Sequence, residues 1–381
     1  AEWVPHSGTL GAYLHIPFCQ QRCHYCSFNT APYRSAAMDR FLAALGSEID
    51  LGGGAGWAGS VTVTTVFFGG GTPSLLAADE LAEILDRLRK RFALAPDAEV
   101  TVECNPESTS REKLEGYRLA GVNRISLGVQ SLDDTLLLRL GRLHSAPEAR
   151  RAFEAARAAG IQNINVDLMY GLPGLDLPKW EATLSGVLAW GPEHLSAYGL
   201  TLDEGSRWAA EGVEGLPPEE AVTDQYWLLA GLAREMGFEH YEISNYCRPG
   251  FRSRHNQVYW DGQEYLGLGP GAAGFLGDVR YTNVKPVGRY SAMLEAGEFP
   301  VGQWEQLTAR ERQRERLILG LRLGNGIPQA WLDARLADGP ARLGELLKTW
   351  EAEGLLRVGN GRARLTEAGF LLSDSLFVEL L

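Results

Sequence analysis

The chain has no apolar stretch near the ~18 residues that a membrane-spanning helix requires. Its first residues, Ala-Glu-Trp-Val-Pro-His, lack the apolar core of a secretory signal peptide. Positive charge is in the minority, since 36 Lys and Arg residues face 48 Asp and Glu residues and the formal net charge is −12. This balance argues against a general nucleic-acid-binding protein, although it leaves room for a local basic patch. We therefore expect no membrane span and no nucleic-acid partner.

Cysteine is scarce as well, with five residues in a chain of 381. An odd number, three of them clustered, does not fit a disulfide framework and indicates a reducing compartment. We therefore expect a cytoplasmic protein. Cys104 and Cys247 are isolated in sequence and fit buried small apolar residues, although Cys247 is close enough to His255 to be a second ligand.

The three clustered cysteines are the most informative feature that is present. Cys19, Cys23 and Cys26 follow an apolar run, so they lie where a strand ends and a loop begins. Three thiolates can bind three irons of a [4Fe–4S] cluster and leave the fourth iron open for a small molecule. The alternative is a zinc site, which takes four Cys or His ligands. His24 is the nearest further candidate, and no second close Cys pair exists.

Apolar runs alternate with amphipathic stretches over the first 240 residues. This alternation predicts βα units and a parallel sheet, hence an α/β fold. The predicted strands are 12–18, 62–68, 99–104, 124–129, 163–169 and 194–200. The predicted helices are 37–51, 77–92, 110–120, 146–160, 177–190 and 219–236.

Polar or glycine-rich motifs follow all six predicted strands. They are Cys19 and the segments 69–74, 103–106, 129–131, 167–174 and 198–201. The carboxyl ends of barrel strands meet at one face, which carries the active site. One such ending is ordinary turn chemistry, but six in register predict a shared site.

The residues in these motifs suit a nucleoside ligand bound beside a cluster. A cluster with an open iron can chelate the amino and carboxylate groups of S-adenosylmethionine (SAM), whose reduction then cleaves a C–S bond. Glycines 69–71 let the backbone approach such a ligand closely, and the run lacks the Gly-Lys-Ser/Thr of a phosphate loop. Four polar residues are suited to nucleoside or carboxylate contacts: Glu103, Gln130, Arg142 and Asp167. Taken singly, Glu103 could instead hold a turn, Arg142 could form a surface ion pair and Asp167 could cap a helix.

The remaining third of the chain has a different composition. Segment 241–308 is rich in Tyr, Trp and Gly, without a clear helical period, and contains His255, Asn256, Tyr259 and Trp260. Imidazole is a common haem ligand, but a lone His in apolar surroundings is more often a hydrogen-bonded core residue. Residues 309–381 are helical and then form a hairpin around 359–361, a pattern like a winged helix. A DNA- or partner-binding unit is therefore a third interpretation of this module, although no basic recognition helix is present.

The motifs resemble the radical SAM family. Cys19-x3-Cys23-x2-Cys26 with Tyr25 is similar to its cluster motif. The lead-in 15–18 and the Gly-Gly-Gly-Thr-Pro run are similar to relatives of oxygen-independent coproporphyrinogen III oxidase, from about Gly11 to Phe377. The oxidases carry a further Cys at the position of Phe28, whereas haem chaperones of the HemW type carry the His-Asn-x-x-Tyr-Trp pattern found at 255–260. Both features favour the chaperones.

The resemblance implies a set of roles. A [4Fe–4S] cluster would be held by Cys19, Cys23 and Cys26, and SAM would be contacted by Tyr13, Gly70, Glu103 and Gln130. A second SAM site would correspond to Arg142 and Asp167, with the backbone around Tyr25, Gly71 and Thr72. Haem would be contacted by His255. The chaperone would bind haem as cargo and deliver it to apo-haemoproteins such as respiratory oxidases, and the resemblance also allows a homodimer. The alternative is a radical SAM enzyme acting on a porphyrin or porphyrinogen, and Phe28 argues against coproporphyrinogen oxidase activity. Whether SAM is cleaved stays open.

The expected architecture is a partial (β/α)6 radical SAM barrel with an additional α+β C-terminal region. We predict an N-terminal leader over 1–10, the barrel over 11–240, the glycine- and aromatic-rich segment over 241–308 and the winged-helix-like module over 309–381.

Overall fold

The computed structural model describes residues 3–338 and 341–380; the rest of the predicted leader and C-terminal module lies outside these ranges. All six predicted strands are confirmed to within a few residues, apart from the third, which starts earlier than predicted. They are β1 (Thr9–Ile16), β2 (Thr62–Gly70), β3 (Ala93–Cys104), β4 (Arg124–Gln130), β5 (Asn163–Tyr170) and β6 (His194–Gly199). They lie parallel in this order, as the alternation of strands and helices predicts.

The six predicted helices are confirmed too, as α1 (Ser35–Gly53), α2 (Ala78–Arg91), α3 (Arg111–Ala120), α5 (Ala146–Ala158), α6 (Leu177–Leu188) and α8 (Glu219–Glu235). Two short helices were not predicted: α4 (Asp134–Leu140) and α7 (Arg207–Glu211). Side chains of Asp133 and Ser206 accept backbone N–H bonds at their first turns. Such caps stabilise helices too short to show an apolar period. Single 3₁₀ turns occupy Ala58–Ser60, Pro73–Leu75 and Pro106–Ser108.

Segment 241–308 extends both edges of the parallel sheet. Its elements are β8 (Asn245–Cys247), α9 (Arg254–Trp260), β9 (Tyr265–Leu268), β10 (Ala273–Leu276), β11 (Val279–Asn283), α10 (Val287–Glu295) and β12 (Val301–Gln306), preceded by β7 (Glu239–Glu242). Strand β9 pairs parallel with β1, and β8 pairs antiparallel with β6. The sheet order is therefore β12-β11-β10-β9-β1-β2-β3-β4-β5-β6-β8-β7. The outer edges of β1 and β6 are occupied by β9 and β8. These two strands therefore do not pair with each other, and the barrel is open.

Two stretches of this segment are helical although the sequence shows no helical period. Helix α9 carries the whole His-Asn-x-x-Tyr-Trp pattern, and Ser253 caps it by accepting the N–H of Asn256. Both α9 and α10 are short, with seven and nine residues, which explains why no period is visible in the sequence.

Strand β1 divides its side chains between two faces. Ala12, Leu14 and Ile16 are fully buried in the apolar core beneath the helices. Tyr13 and His15 alternate with them and lie on the other face, where Tyr13 contacts Phe67 of β2. The site is built on this inner face and on the strand ends.

A buried carboxylate joins the first helix to segment 241–308. Glu48 of α1 accepts hydrogen bonds from the Gly269 N–H (2.7 Å), the Asn283 side-chain amide (2.6 Å) and the Tyr290 hydroxyl (2.6 Å). Burial raises the pKa of Glu48 to about 7, whereas the three hydrogen bonds favour the ionised carboxylate and lower the pKa. The three bonds hold β9, β11 and α10 against the first βα unit.

The C-terminal module has an apolar core of its own, around Trp350 and Phe370. It comprises α11 (Ala309–Leu321), β13 (Ile327–Pro328), α12 (Gln329–Asp338), α13 (Ala341–Ala352), β14 (Leu356–Gly359), β15 (Arg362–Leu365), α14 (Glu367–Leu371) and α15 (Ser373–Leu380). The predicted hairpin is confirmed as β14 and β15, joined through Asn360 and Gly361, which both have positive φ. Within the described ranges, no helix has the length and apolar character needed to cross a bilayer.

Candidate functional site: a cysteine-lined cavity and its neighbour

The three clustered cysteines open onto a cavity of about 480 Å³ at the carboxyl ends of the parallel strands. Strand ends that carry the predicted motifs converge there, as the barrel geometry requires. Eleven of the thirteen predicted site residues line it: Cys19, Cys23, Tyr25, Cys26, Gly70, Gly71, Thr72, Glu103, Gln130, Arg142 and Asp167. Tyr13 and His255 do not. Phe28, which is 63% exposed, stands in its wall.

The cysteine loop is fixed to the body of the protein at several points. A short parallel pair of strands, Phe18–Cys19 with Ala31–Pro32, closes its base. Gln21 donates to the Gly141 carbonyl (3.0 Å), and the His24 N–H donates to the Leu140 carbonyl (3.0 Å). Both carbonyls lie at the C-terminal end of α4, so this unpredicted helix positions the cysteines.

The imidazole of His24 is engaged away from the thiols. Its Nδ1 bonds to the Arg139 carbonyl (3.0 Å), and its Nε2 lies 3.3 Å from Arg207. Within residues 3–338 and 341–380, no three Cys, His, Asp or Glu side chains are grouped to hold a single metal ion. A [4Fe–4S] cluster makes no such demand, because each thiolate binds a different iron.

Two donors stand beside the thiols. The Thr72 hydroxyl lies 3.5 Å from Cys19 Sγ, and Arg142 Nη1 lies 3.6 Å from Cys23 Sγ. Burial raises the pKa of Cys19 to about 11, against the Thr72 hydrogen bond, and burial also raises the pKa of Cys26. The metal-free thiols of Cys19 and Cys26 are therefore protonated, and binding of a cluster would release their protons. Three thiols on one cavity, with a cation and a hydroxyl beside them, are a donor set that fits an iron–sulfur cluster.

The glycine run is required by close packing. Gly70 has φ +112°, and a Cβ there would lie 2.6 Å from the His15 ring. A Cβ on Gly71 would lie 2.6 Å from the Phe18 carbonyl oxygen, because the Gly71 N–H bonds to Ile16 in the adjacent chain segment. The bare backbone therefore forms the floor of the cavity next to Cys19.

Two carboxyl groups on nearby strands face the cavity. Glu103 accepts from the Gly70 N–H (3.1 Å), and Asp167 accepts from Ser126 (3.1 Å) and Asn165 (2.6 Å). Burial raises the pKa of Glu103 to about 8, and the charge of Asp167 adds to the rise. Burial likewise raises the pKa of Asp167. The site therefore keeps two acids in a desolvated place where hydroxyl or amine groups of a ligand could pair with them.

Gln130 sits at the end of β4 in a strained conformation. Its φ is +67°, and the register of β4 against β5 shifts between Gly128 and Gln130. A non-glycine residue there costs about 1–3 kcal/mol, and such residues cluster at binding sites. The bulge places Gln130 in the cavity wall.

Several lining residues were not predicted from the sequence, among them Arg124 and Asn105. Arg124 lies in the cavity wall although it is 2% exposed, and its Nε has no hydrogen-bond partner in the described part of the chain. A charged residue opening the apolar strand 124–129 was the available signal. Asn105 bonds to Arg142 (2.8 Å) and Thr72 (3.3 Å), and Asn256 reaches the cavity from α9. Asn256 belongs to the His-Asn-x-x-Tyr-Trp pattern, whereas Asn105 has no distinctive sequence signal.

His255 lies in an aromatic wall at the side of this cavity. It is fully buried; Nδ1 bonds to the Thr65 hydroxyl (2.8 Å) and Nε2 to the Tyr259 hydroxyl (2.7 Å). The Phe67 ring, which lines the cysteine cavity, stacks on His255 (centroids 5.1 Å apart) and on Tyr13 (6.2 Å). Burial, with the charge of Arg124, lowers the pKa of His255 to about 3, so the imidazole is neutral.

A second cavity, of about 720 Å³, lies beyond this aromatic wall. Tyr13, Tyr259 and Trp260 line it. The Tyr13 hydroxyl lies 3.1 Å from His15 Nδ1, and the His15 ring lies against Gly70 of the cysteine cavity. Strands β9 to β11 and helices α11 and α12 supply the remaining walls. The His-Asn-x-x-Tyr-Trp pattern therefore serves both cavities, with Asn256 in the first and Tyr259 and Trp260 in the second.

The comparisons with known proteins agree with this arrangement. Residues 13–185 match the Radical SAM superfamily, and residues 307–372 match the HemN C-terminal domain. The chain is 41% identical to the heme chaperone HemW of Mycobacterium tuberculosis, over 98% of this chain and 95% of that protein. It is 35% identical to the heme chaperone HemW of Bacillus subtilis, over 96% of this chain and 97% of that protein.

A solved structure has the same fold. Coproporphyrinogen III oxidase (HemN) from Escherichia coli, a radical SAM enzyme, superposes with a TM-score of 0.86 at 24% identity, covering 98% of this chain and 89% of that one. This likeness confirms the predicted α/β fold of the radical SAM type.

Proposed function

The chain belongs to the HemW family of radical SAM proteins, and we propose that it is a haem chaperone, which binds haem and delivers it to apo-haemoproteins. The observation that carries this proposal is the near full-length similarity to proteins named heme chaperone HemW. Phe28, in place of the extra Cys of the oxidases, supports the chaperone over coproporphyrinogen oxidase activity.

Cys19, Cys23 and Cys26 would hold the [4Fe–4S] cluster. Their common cavity and the donors from Thr72 and Arg142 support this assignment. With SAM bound, the cluster would supply one-electron reduction of the sulfonium. Gly70, Glu103 and Gln130 would bind SAM, since they offer open backbone, a carboxyl group and an amide on one wall. Tyr13 would contact SAM from the wall between the two cavities, where its hydroxyl lies 3.1 Å from His15, whose ring lies against Gly70.

A second SAM at Arg142 and Asp167, beside Tyr25, Gly71 and Thr72, has less support. Arg142 already donates to Asn105 and to the Gly128 carbonyl, both at 2.8 Å, and Asp167 is bonded to Ser126 and Asn165. These groups would have to exchange existing partners for a ligand. We therefore propose a positioning role for Arg142, whose guanidinium would stabilise the negative charge of the cluster-bound thiolates on the cysteine loop.

His255 would contact haem from the wall between the two cavities. Its neutral imidazole suits iron ligation, since a metal-bound imidazole nitrogen must be free of a proton. Both nitrogens are bonded in this conformation, so the contact requires the Tyr259 hydroxyl to give up Nε2. Tyr259 lines the second cavity, which makes this exchange a local one.

We propose a cytoplasmic location, which the five free thiols support. Recipients would be apo-haemoproteins such as respiratory oxidases, and a homodimer stays a proposal. The proposed division at residue 240 would be one of function and not of packing, because strands from both sides of it share one sheet. The separate apolar core of the C-terminal module supports the division at residue 308.

The second candidate is a radical SAM enzyme acting on a porphyrin or porphyrinogen. The observation in its favour is the cavity itself, with carboxyl groups, glycine backbone and cysteines all present. Release of 5′-deoxyadenosine in step with a changed porphyrinogen would establish it. Haem binding without such turnover would exclude it.

The deciding experiment is an anaerobic haem titration of the cluster-reconstituted protein, followed by the Soret band. The chaperone predicts saturable binding near one haem per chain and transfer of the bound haem to an apo-haemoprotein. Absence of specific binding would overturn the proposal.

A further inference from the structure

The second cavity has an aromatic lining. Tyr13, Tyr259, Trp260, Tyr265, Phe275 and Trp331 all contribute to its walls. The rings of Tyr259 and Tyr265 meet edge to face, with centroids 4.7 Å apart. A flat, largely apolar ligand would be favoured there, because aromatic faces stack on planar rings and exclude water.

The cavity is also basic, in a chain whose net charge is −12. Four arginines line it, Arg280, Arg312, Arg316 and Arg335, against the two acids Asp261 and Glu315. Arg280 pairs with Glu315 (2.6 Å), and Arg312 pairs with Asp278. Among the residues that the structure describes, Arg316 and Arg335 pair with no carboxylate; Arg316 lies over the Trp331 ring, 5.0 Å from its centroid. Two cations on the C-terminal helices are therefore available to an anion.

Two buried donors in the same lining have no partner within residues 3–338 and 341–380. They are the indole Nε1–H of Trp260 and the guanidinium Nε–H of Arg335. An unpaired buried donor costs about 1–3 kcal/mol, and folded proteins rarely retain one without a reason. Acceptors brought by a ligand would satisfy them.

We propose that this cavity is the cargo site: the flat face of haem lies against the aromatic walls, and its two carboxylates bind at Arg316 and Arg335. This site assignment rests on the proposed chaperone function, and it locates haem in the second cavity. Haem suits the cavity because it joins an apolar macrocycle to two acids on one edge, and arginine forms paired hydrogen bonds with carboxylates. The C-terminal module is thereby part of the binding site. Tyr259 lies between this cavity and His255, so the imidazole stands at the inner end of the site.

The test compares Arg316→Gln/Arg335→Gln with the unsubstituted protein in anaerobic Soret titrations. We expect haem affinity to fall about 10- to 100-fold, as the loss of charged hydrogen bonds implies. The variant Arg316→Lys/Arg335→Lys keeps the positive charges but lacks the planar guanidinium groups. Its haem affinity should lie between that of the glutamine variant and that of the unsubstituted protein. The matched control is Arg357→Gln/Arg364→Gln, which removes two exposed arginines of the C-terminal hairpin outside the cavity and should bind like the unsubstituted protein.

The dimethyl ester of haem provides a second readout, because both carboxylates are blocked. It should bind the unsubstituted protein and Arg316→Gln/Arg335→Gln with equal affinity. Undiminished haem binding by that variant would overturn the site and leave the chaperone proposal standing. No haem binding by the unsubstituted protein would overturn both. Equal thermal melts and iron contents show that the variants are folded.

Discussion

The Nε2 atom of His255 lies 2.7 Å from the hydroxyl of Tyr259, and this hydrogen bond joins the wall of the cysteine cavity to the wall of the second cavity. The imidazole is neutral, and its other nitrogen bonds to Thr65. One residue of helix α9 therefore closes the path from the second cavity to the histidine. The first two predictions test this relationship.

Replacing His255 by Ala should weaken haem binding at least tenfold and leave the cluster intact. The ligand is lost, whereas the cysteines lie in the other cavity. Soret titration and iron analysis measure the two effects. His194→Ala is the matched control, since His194 is also fully buried with both nitrogens bonded, to Asn165 and Tyr241. Equal haem affinity in both variants would remove His255 from the site.

Replacing Tyr259 by Phe should raise haem affinity a few-fold. The phenyl ring keeps the cavity wall, while Nε2 of His255 no longer has a competing partner whose hydrogen bond is worth about 1 kcal/mol. The gain should vanish in the double variant His255→Ala/Tyr259→Phe, which should bind like His255→Ala. A gain that persists there would show that Tyr259 acts independently of the histidine.

Replacing Cys23 by Ala should abolish the cluster absorbance near 400 nm after reconstitution. Two thiolates cannot replace three at a site-differentiated cluster. Cys247→Ala is the control, because Cys247 is fully buried in β8, outside the cysteine cavity. Unchanged iron content in the Cys23 variant would require another ligand set.

Replacing Glu103 by Gln should stabilise the metal-free protein at alkaline pH. Burial raises the folded pKa of Glu103 to about 8, from an ordinary value of 4.5. The folded state therefore holds a proton that the unfolded chain has released, and stability falls as the pH rises from 4.5 to about 8. In the Glu103→Gln variant the stability should fall less between pH 4.5 and about 8, so its Tm above pH 8 should be higher. Its affinity for SAM should be lower. Urea unfolding across this range measures the slope.

The exposed Glu351→Gln is the control for that slope. If Glu103→Gln and Glu351→Gln had the same pH dependence, Glu103 would not carry the buried proton.

The parallel sheet could be predicted because its strands are long apolar runs between amphipathic helices. Strands β9, β10 and β11 could not, since four- and five-residue strands with glycine and tyrosine carry little periodic signal. The cysteine cavity followed from motifs at strand ends. The place of Tyr13 between two cavities did not, because residue spacing does not reveal which later elements pack against an inward side chain. His255 was singled out by its motif, but its place in a shared wall depends on α9 packing against β2, a contact between residues 190 positions apart.

The carboxylate of Glu48 has a consequence for synthesis on the ribosome. Its three donors come 221, 235 and 242 residues later in the chain. A nascent chain that ends near residue 240 already contains all six parallel strands, yet it lacks the three donors of Glu48 and the elements that carry them. The amino-terminal half therefore reaches its final packing only after residue 290 has left the exit tunnel, and nascent chains halted before that point should remain sensitive to proteases.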